Sequence, residues 1–454
     1  MGIYSISSIE GRYEHITSGL KEYFSEYALI RKRVEVEIRW LIFLSEKTSI
    51  LSLNSNEKAS LTKIFGQFSE KDAEIVKKIE NEGYGKIKAT YHDVKAVEYF
   101  LRLKLQEKIH PHIHLFLTSE DVNSIAWGML IRESVNDYNL RLEKVISKLV
   151  YYVSAYKKTV ICGHTHGQKA IPTTLGKEFA NFAYRLIEHH QKIRNMPIKA
   201  KCNGAIGNYN SFALSNYNWI KLSQQFILSS KLTPAIYSNQ RDMADWLVDI
   251  LNSLSNINGV LNHLAKDLWL YITLDYLQQK PFAGSTGSST MPQKCNPWRL
   301  ESAEAQLNLA KHYIYGCISL LQETRLQRDL RDHQTYRNLG IVFGHSLIGM
   351  KYIDIMLDTL IPNWQKIDDD LKDQKIISEG IQTILRLEGV RDAYEQVKEL
   401  CDNFTEQKLN ELISRNNISR EAKQKILSLT PENYIGYSEI LCDNIIKIWK
   451  RRKQ

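Results

Sequence analysis

Arg141-Leu-Glu-Lys-Val-Ile-Ser-Lys-Leu-Val-Tyr-Tyr-Val153 is the stretch that decides the fold class. Leu142, Val145, Ile146, Leu149 and Val153 recur at intervals of three and four, while Arg141, Lys144 and Lys148 fall off that stripe. Such spacing lines one side of an α-helix with apolar groups. The stretch lies in a span free of proline between Pro111 and Pro172, and a second such span separates Pro297 from Pro362. Proline removes a backbone donor and clashes with the turn before it, so long spans without it suit long helices. No succession of short alternating runs with hairpin turns accompanies them. The expected fold is mainly α.

Working outward, 454 residues suffice for a sizeable core and for two or three domains. Ser5-Ile-Ser-Ser-Ile-Glu-Gly-Arg-Tyr13 has turn chemistry and precedes a long amphipathic helix over about 20–45. We expect an N-terminal helical domain over 1–111, a long-helix domain over 112–364 and a smaller helical unit over 365–454. Pro362-Asn-Trp and Asp368-Asp-Asp370 mark the second break.

The six cysteines are dispersed without a Cys-x-x-Cys pair, which suggests neither a disulfide framework nor a zinc site. No charged-then-apolar leader and no uninterrupted apolar run of membrane-spanning length is present, so the cytosol is the default. A formal charge of +9 favours anionic partners. The basic residues are spread out apart from Lys447-Ile-Trp-Lys-Arg-Arg-Lys453, and no nucleic-acid-binding motif goes with them. A small polyanionic substrate is expected rather than nucleic acid or a membrane. His164 and His166 lie two apart, but no carboxylate or cysteine cluster completes a ligand set; neither metal nor cofactor is expected.

Chemistry concentrates in Gly284-Ser-Thr-Gly-Ser-Ser-Thr-Met-Pro-Gln-Lys-Cys-Asn-Pro297. Glycines and hydroxyls leave little to build a core, and a helical pattern begins near Leu300. A loop leading into a helix start offers free backbone N–H groups to an anion, and Lys294 and Asn296 add a charge and a polar fork. A plain surface loop has the same composition. Gly287 to Pro297, however, resembles the signature of the fumarase/aspartase superfamily. Phe24-Ser-Glu-Tyr27, His92-Asp-Val-Lys-Ala-Val-Glu-Tyr-Phe100, Thr118-Ser-Glu-Asp121, Thr165-His-Gly-Gln168, Asn203-Gly-Ala-Ile-Gly-Asn-Tyr-Asn210 and Gln327-Arg-Asp-Leu330 narrow the resemblance to the adenylosuccinate lyase family, in that family's order.

The resemblance implies an all-α fold of three helical domains with a central long-helix bundle. It also implies a homotetramer whose active sites are shared between subunits, and elimination of fumarate from an N-succinyl adduct. Such a reaction needs a base for a weakly acidic C–H, cationic groups for the developing dianion, and an acid for the departing nitrogen. By resemblance, Ser288 is the base, His166 the acid, and Glu301 the carboxylate that orients His166. Lys294 and Asn296 hold the carboxylates. Arg12, Tyr13, Arg328 and Arg337 match positions that grip phosphate and ribose, and His92 faces the phosphate or the leaving group, with Asp93 a site residue beside it. Thr118, Ser119, Thr165, Gln168, Ser289, Met291 and His333 complete the implied substrate set. Two structural alternatives stand beside these roles: Thr118 and Asp121 have the spacing of a capping box, and Asp93 suits a helix cap. Thr165 to Gln168 is expected in a loop before a helix opened by Pro172.

Tyr91, His164, Tyr237 and His333 depart from the family pattern. A related lyase acting on a different N-succinyl adduct is therefore the alternative, and a non-catalytic scaffold of the same fold is the alternative from another class.

Overall fold

The structure, a computed structural model, describes residues 3–280, 291 and 294–453. Helices dominate, and the described strands form only two-stranded pairs, so the all-α expectation holds. The helices that position the site are α1 (Glu26–Lys47), α2 (Asp93–Lys104), α3 (Ser119–Ala155), α4 (Leu175–Arg194), α5 (Asp245–Thr273), α6 (Trp298–Leu321), α7 (Arg331–Leu357) and α8 (Trp364–Leu371). The strands that matter are β1 (Val160–Thr165), β2 (Gln168–Thr174), β3 (Leu277–Gln279) and β4 (Leu360–Pro362).

The chain forms two compact units. One comprises residues 1–141, 189–259 and 305–351; the other comprises 142–188, 260–304 and 352–454. Helices α3 to α7 each contribute residues to both.

In the first unit, α1 starts at Glu26 rather than near Leu20, because the Ser25 hydroxyl accepts a hydrogen bond from Ala28 N (3.1 Å) and caps the helix there. Short helical turns occupy the stretch before it. Its apolar stripe centres on Trp40, which is fully buried, with the rings of Phe226 and Phe43 at 4.9 and 5.8 Å. Cutting Trp40 back to alanine would cost about 3–5 kcal/mol. The same helix buries Lys32, Arg33, Glu35 and Glu37. Charges inside a core must be paired, and each of these has an ionic partner.

In the second unit, Leu142, Val145, Ile146, Leu149 and Val153 are all buried, as their spacing predicts. Tyr152, on the same helix, donates its hydroxyl to the Leu360 carbonyl (2.9 Å) and packs on Phe179 with ring centroids 4.7 Å apart. β3 and β4 pair antiparallel, Leu277 opposite Pro362.

One departure concerns Thr165 to Gln168. They are the tip of the antiparallel hairpin β1–β2, and Pro172 lies within β2 opposite Cys162; the helix after it begins at Leu175. A two-stranded hairpin has a free edge on each strand, so a proline without an N–H is tolerated there. His166 and Gly167 have φ of +53° and +76°, the pairing of positive values that a tight two-residue hairpin turn requires. The register slips between Cys162 and His164, at Gly163, where a Cβ would stand 2.8 Å from the Ile171 carbonyl oxygen.

α7 has the length and apolarity to cross a membrane, but 72% of its most apolar window is buried within the fold, which marks a core helix.

Candidate active site

The first unit gathers charge around the start of α2. His92 is the N-cap: its Nδ1 accepts from Lys95 N at 3.2 Å, so the capping role falls to His92 and not to Asp93. Asp93 turns its carboxylate inward. There Oδ2 accepts from the Arg33 guanidinium at 2.7 Å and from that of Arg337 at 3.3 Å, with His333 Nε2 at 3.5 Å. Burial opposes ionisation of Asp93, but the His333 hydrogen bond and the Arg33 charge outweigh it and hold the carboxyl far below its ordinary range. Arg33 is wholly buried and donates its Nε to Asn123 (2.8 Å), so it acts as a fixed internal brace. Arg337, with 30% of its side chain exposed, can instead turn its fork toward an anion.

The start of α3 forms the neighbouring wall. Ser119 Oγ lies 3.5 Å from His92 Nε2, so the structure brings these two expected residues together. The capping reading of Thr118 and Asp121 is half right: Asp121 Oδ2 accepts from Thr118 N at 2.9 Å. Asp121 does more. Its carboxylate also accepts from the backbone N–H groups of Asn203 (3.0 Å) and Gly204 (3.2 Å) and lies 2.7 Å from Lys201 Nζ; both side chains of that ion pair are fully buried. Arg328 binds Glu120, and burial pushes the Glu120 carboxyl up against the pull of that arginine. Arg12 lies over the Tyr13 ring, at 6.0 Å, and is exposed.

The second unit carries the other expected groups. His166 stands exposed at the hairpin tip between Thr165 and Gln168, which are exposed as well. Lys294 and Asn296 are exposed in the coil before α6, where Lys294 N donates to the Met291 carbonyl at 3.0 Å. Glu301, in the first turn of α6, accepts from Trp269 Nε1 at 3.2 Å; among the described residues no contact joins it to His166. Ser288 and Ser289 lie outside the described residues.

The residues that depart from the family pattern divide. His333 is built into the Asp93 cluster; His164 packs its ring on Tyr276 (5.8 Å) with Nδ1 3.1 Å from the Cys162 carbonyl. Tyr91 and Tyr237 are 83% and 97% exposed, and Tyr237 lines a cleft with Asp242 and Trp246. Among the described residues no group of three or more His, Cys, Asp or Glu is placed to hold a metal ion.

Reading by motif missed Arg33, Asn123, Glu120 and the Asp121–Lys201 pair. A signal for Arg33 was present: Leu29, Arg33, Glu37 and Trp40 follow one helical stripe, and two of its four members are charged.

Comparison with known proteins follows the geometry. A family described as lyase matches residues 11–309, and one described as adenylosuccinate lyase C-terminal matches residues 324–435. An adenylosuccinate lyase of Buchnera aphidicola subsp. Schizaphis graminum is 35% identical over 97% of this chain and 98% of its own length. One of Dictyostelium discoideum is 37% identical over 95% of this chain and 96% of its own. Among solved structures, a fumarate lyase of Mesorhizobium sp. BNC1 superposes with a TM-score of 0.74 over 95% of this chain and 97% of its own, at 18% identity, and so shares the fold.

Proposed function

Because this chain belongs to the adenylosuccinate lyase family of the fumarase/aspartase superfamily, we propose that its substrate is adenylosuccinate, cleaved to AMP and fumarate in purine biosynthesis. The protein is a carbon–nitrogen lyase; the substrate, the residue roles and the assembly are the proposal. The succinyl carboxamide ribotide of the same route, which carries the same succinyl group, is a second substrate on this reading. The observation that carries it is similarity to an adenylosuccinate lyase along 97% of the chain.

In the proposed reaction Ser288, as its alkoxide, takes the proton from the carbon beside the succinyl carboxylate and becomes the neutral hydroxyl. Electron density moves onto that carboxylate, where Lys294, Asn296 and the N-terminus of α6 offset the second negative charge. The C–N bond then breaks and His166 gives its proton to the departing nitrogen. Imidazole suits this step because it exchanges a proton near neutrality. Glu301 orients that imidazole once the site is assembled. Arg337, Arg328 and His333, with Arg12 and Tyr13, receive the phosphate and ribose, and Thr118 and Ser119 a substrate carboxylate. His92 and Asp93 border the leaving group; Thr165, Gln168, Ser289 and Met291 close the succinyl end.

The family resemblance is what supports the further proposal of a homotetramer with active sites drawn from several copies. A cytoplasmic location, absence of nucleic-acid and membrane partners, and division into 1–111, 112–364 and 365–454 complete the reading. Purified protein incubated with adenylosuccinate should release fumarate and AMP; no turnover at micromolar enzyme would overturn the substrate assignment. Release of fumarate from another N-succinyl compound instead would establish the alternative lyase.

A further inference from the structure

Asp370 ends a run of three aspartates and lies near the end of α8. Asp368 and Asp369 are exposed, but Asp370 is buried, with 5% of its surface accessible. Its oxygens are fully engaged. Oδ2 accepts the Tyr276 hydroxyl at 2.5 Å, while Oδ1 lies 2.8 Å from Lys169 Nζ and 3.1 Å from Lys366 Nζ.

Two of these partners lead to the hairpin. Lys169 is on β2, directly opposite His164 and one pair of residues from the tip. Tyr276 packs edge-on against the His164 ring, so both arms of the hairpin are tied, one by charge and one by ring contact, to a single carboxylate. The turn between those arms puts His166, a residue with a Cβ, at φ +53°. That backbone state costs roughly 1–2 kcal/mol and persists only where the surroundings hold it. The side chains of the tip, Thr165, His166 and Gln168, are exposed and supply no such restraint themselves. The restraint comes from below.

We propose that Asp370 is a positioning residue for His166: through Lys169 and Tyr276 it fixes the hairpin arms, and with them the turn that presents the imidazole. The inference rests on the reading of His166 as the acid of the lyase reaction. Asp370 touches no reacting atom, so its loss moves the imidazole without removing it.

The test compares wild type, Asp370→Asn and Asp369→Asn. The last removes a charge from an exposed neighbour that, among the described residues, bonds Gln365 and Lys372 on its own helical stretch. Steady-state turnover of adenylosuccinate gives kcat and KM. Separately, site-resolved modification of His166 by diethyl pyrocarbonate, followed by mass spectrometry across pH, reports the imidazole without any reaction. Asp370→Asn is expected to lower kcat roughly 100-fold with KM within about twofold, because small displacements of a reacting group carry penalties of that size. It should also change the rate at which His166 is modified, while Asp369→Asn matches wild type in both measurements. A kcat within roughly threefold of wild type, a change confined to KM, or an unmoved modification profile each overturns the proposal. Should Asp370→Asn fail to fold, Lys169→Met and Tyr276→Phe each cut one tie and carry the same expectations. Should the wild type not turn over adenylosuccinate, the substrate reading fails, and the modification profiles still decide the role of Asp370.

Discussion

Around Asp93 the first unit packs a carboxylate against Arg33, Arg337 and His333, and beside it a wholly buried Asp121–Lys201 pair with three backbone donors. The hairpin of the second unit presents one imidazole at an exposed tip, steadied by ties to one buried carboxylate. In the first arrangement charges hold one another, and losing one leaves others unpaired in low dielectric. In the second, the imidazole proposed to act meets no partner among the described residues and depends on backbone geometry. The difference teaches where mutations should register: as lost folding stability in the first case, as lost rate in the second.

The largest effect that would sharpen this contrast is on rate. His166→Ala should lower kcat by about 10²–10⁴-fold, the usual worth of a positioned acid, while the unfolding midpoint stays within a degree or two. Activity within tenfold of wild type would break the contrast on the hairpin side. Next is Lys201→Met, which leaves Asp121 charged and buried. It should cost about 3–5 kcal/mol in chemical denaturation, and the double change with Asp121→Asn should recover part of that loss. Equal losses for single and double variants would mean that the pair does not act as a pair.

A smaller effect depends on pH. His114 lies 2.5 Å from the buried Glu37. Burial lowers its pKa, but the Glu37 charge and hydrogen bond win, and the net shift is upward from 6.5. A raised folded value means that the stabilisation is fully present below 6.5 and is lost as pH rises through the folded value. The gap in unfolding midpoint between wild type and His114→Gln should therefore be widest near pH 6 and close toward pH 9. The smallest expected effect is at the turn. A Cβ on Gly167 meets no atom within 4 Å, so Gly167→Ala carries only the backbone strain of φ +76°, roughly 1–2 kcal/mol. A loss well beyond that in denaturant titration would mean that the turn is held more rigidly than its open surroundings suggest.

The helical class was readable because Leu142 to Val153 repeat with a helix period over a span without proline, and burial follows that period residue by residue. The hairpin was not, since Thr165-His-Gly-Gln168 lacks the Asn-Gly or Asp-Gly of common tight turns and Pro172 reads as a helix start. Asp93 and Asp121 were marked from their motifs, but the braces behind them were not. Arg33 lies 60 residues before Asp93, and Lys201 lies 80 after Asp121; a local pattern contains no term for a contact that only folding creates.

The aspartate run has one more consequence. Its three members differ in nothing but angular phase: one meets water, one its helical neighbours, one the interior. Deleting a single residue between Pro362 and Asp368 would turn the run by about 100° and hand the inner place to Leu371. Chemical composition would be almost unchanged, yet Tyr276 and Lys169 would lose their common acceptor. The distance from the strand to the run, counted in residues, is thus itself part of what the chain has to preserve.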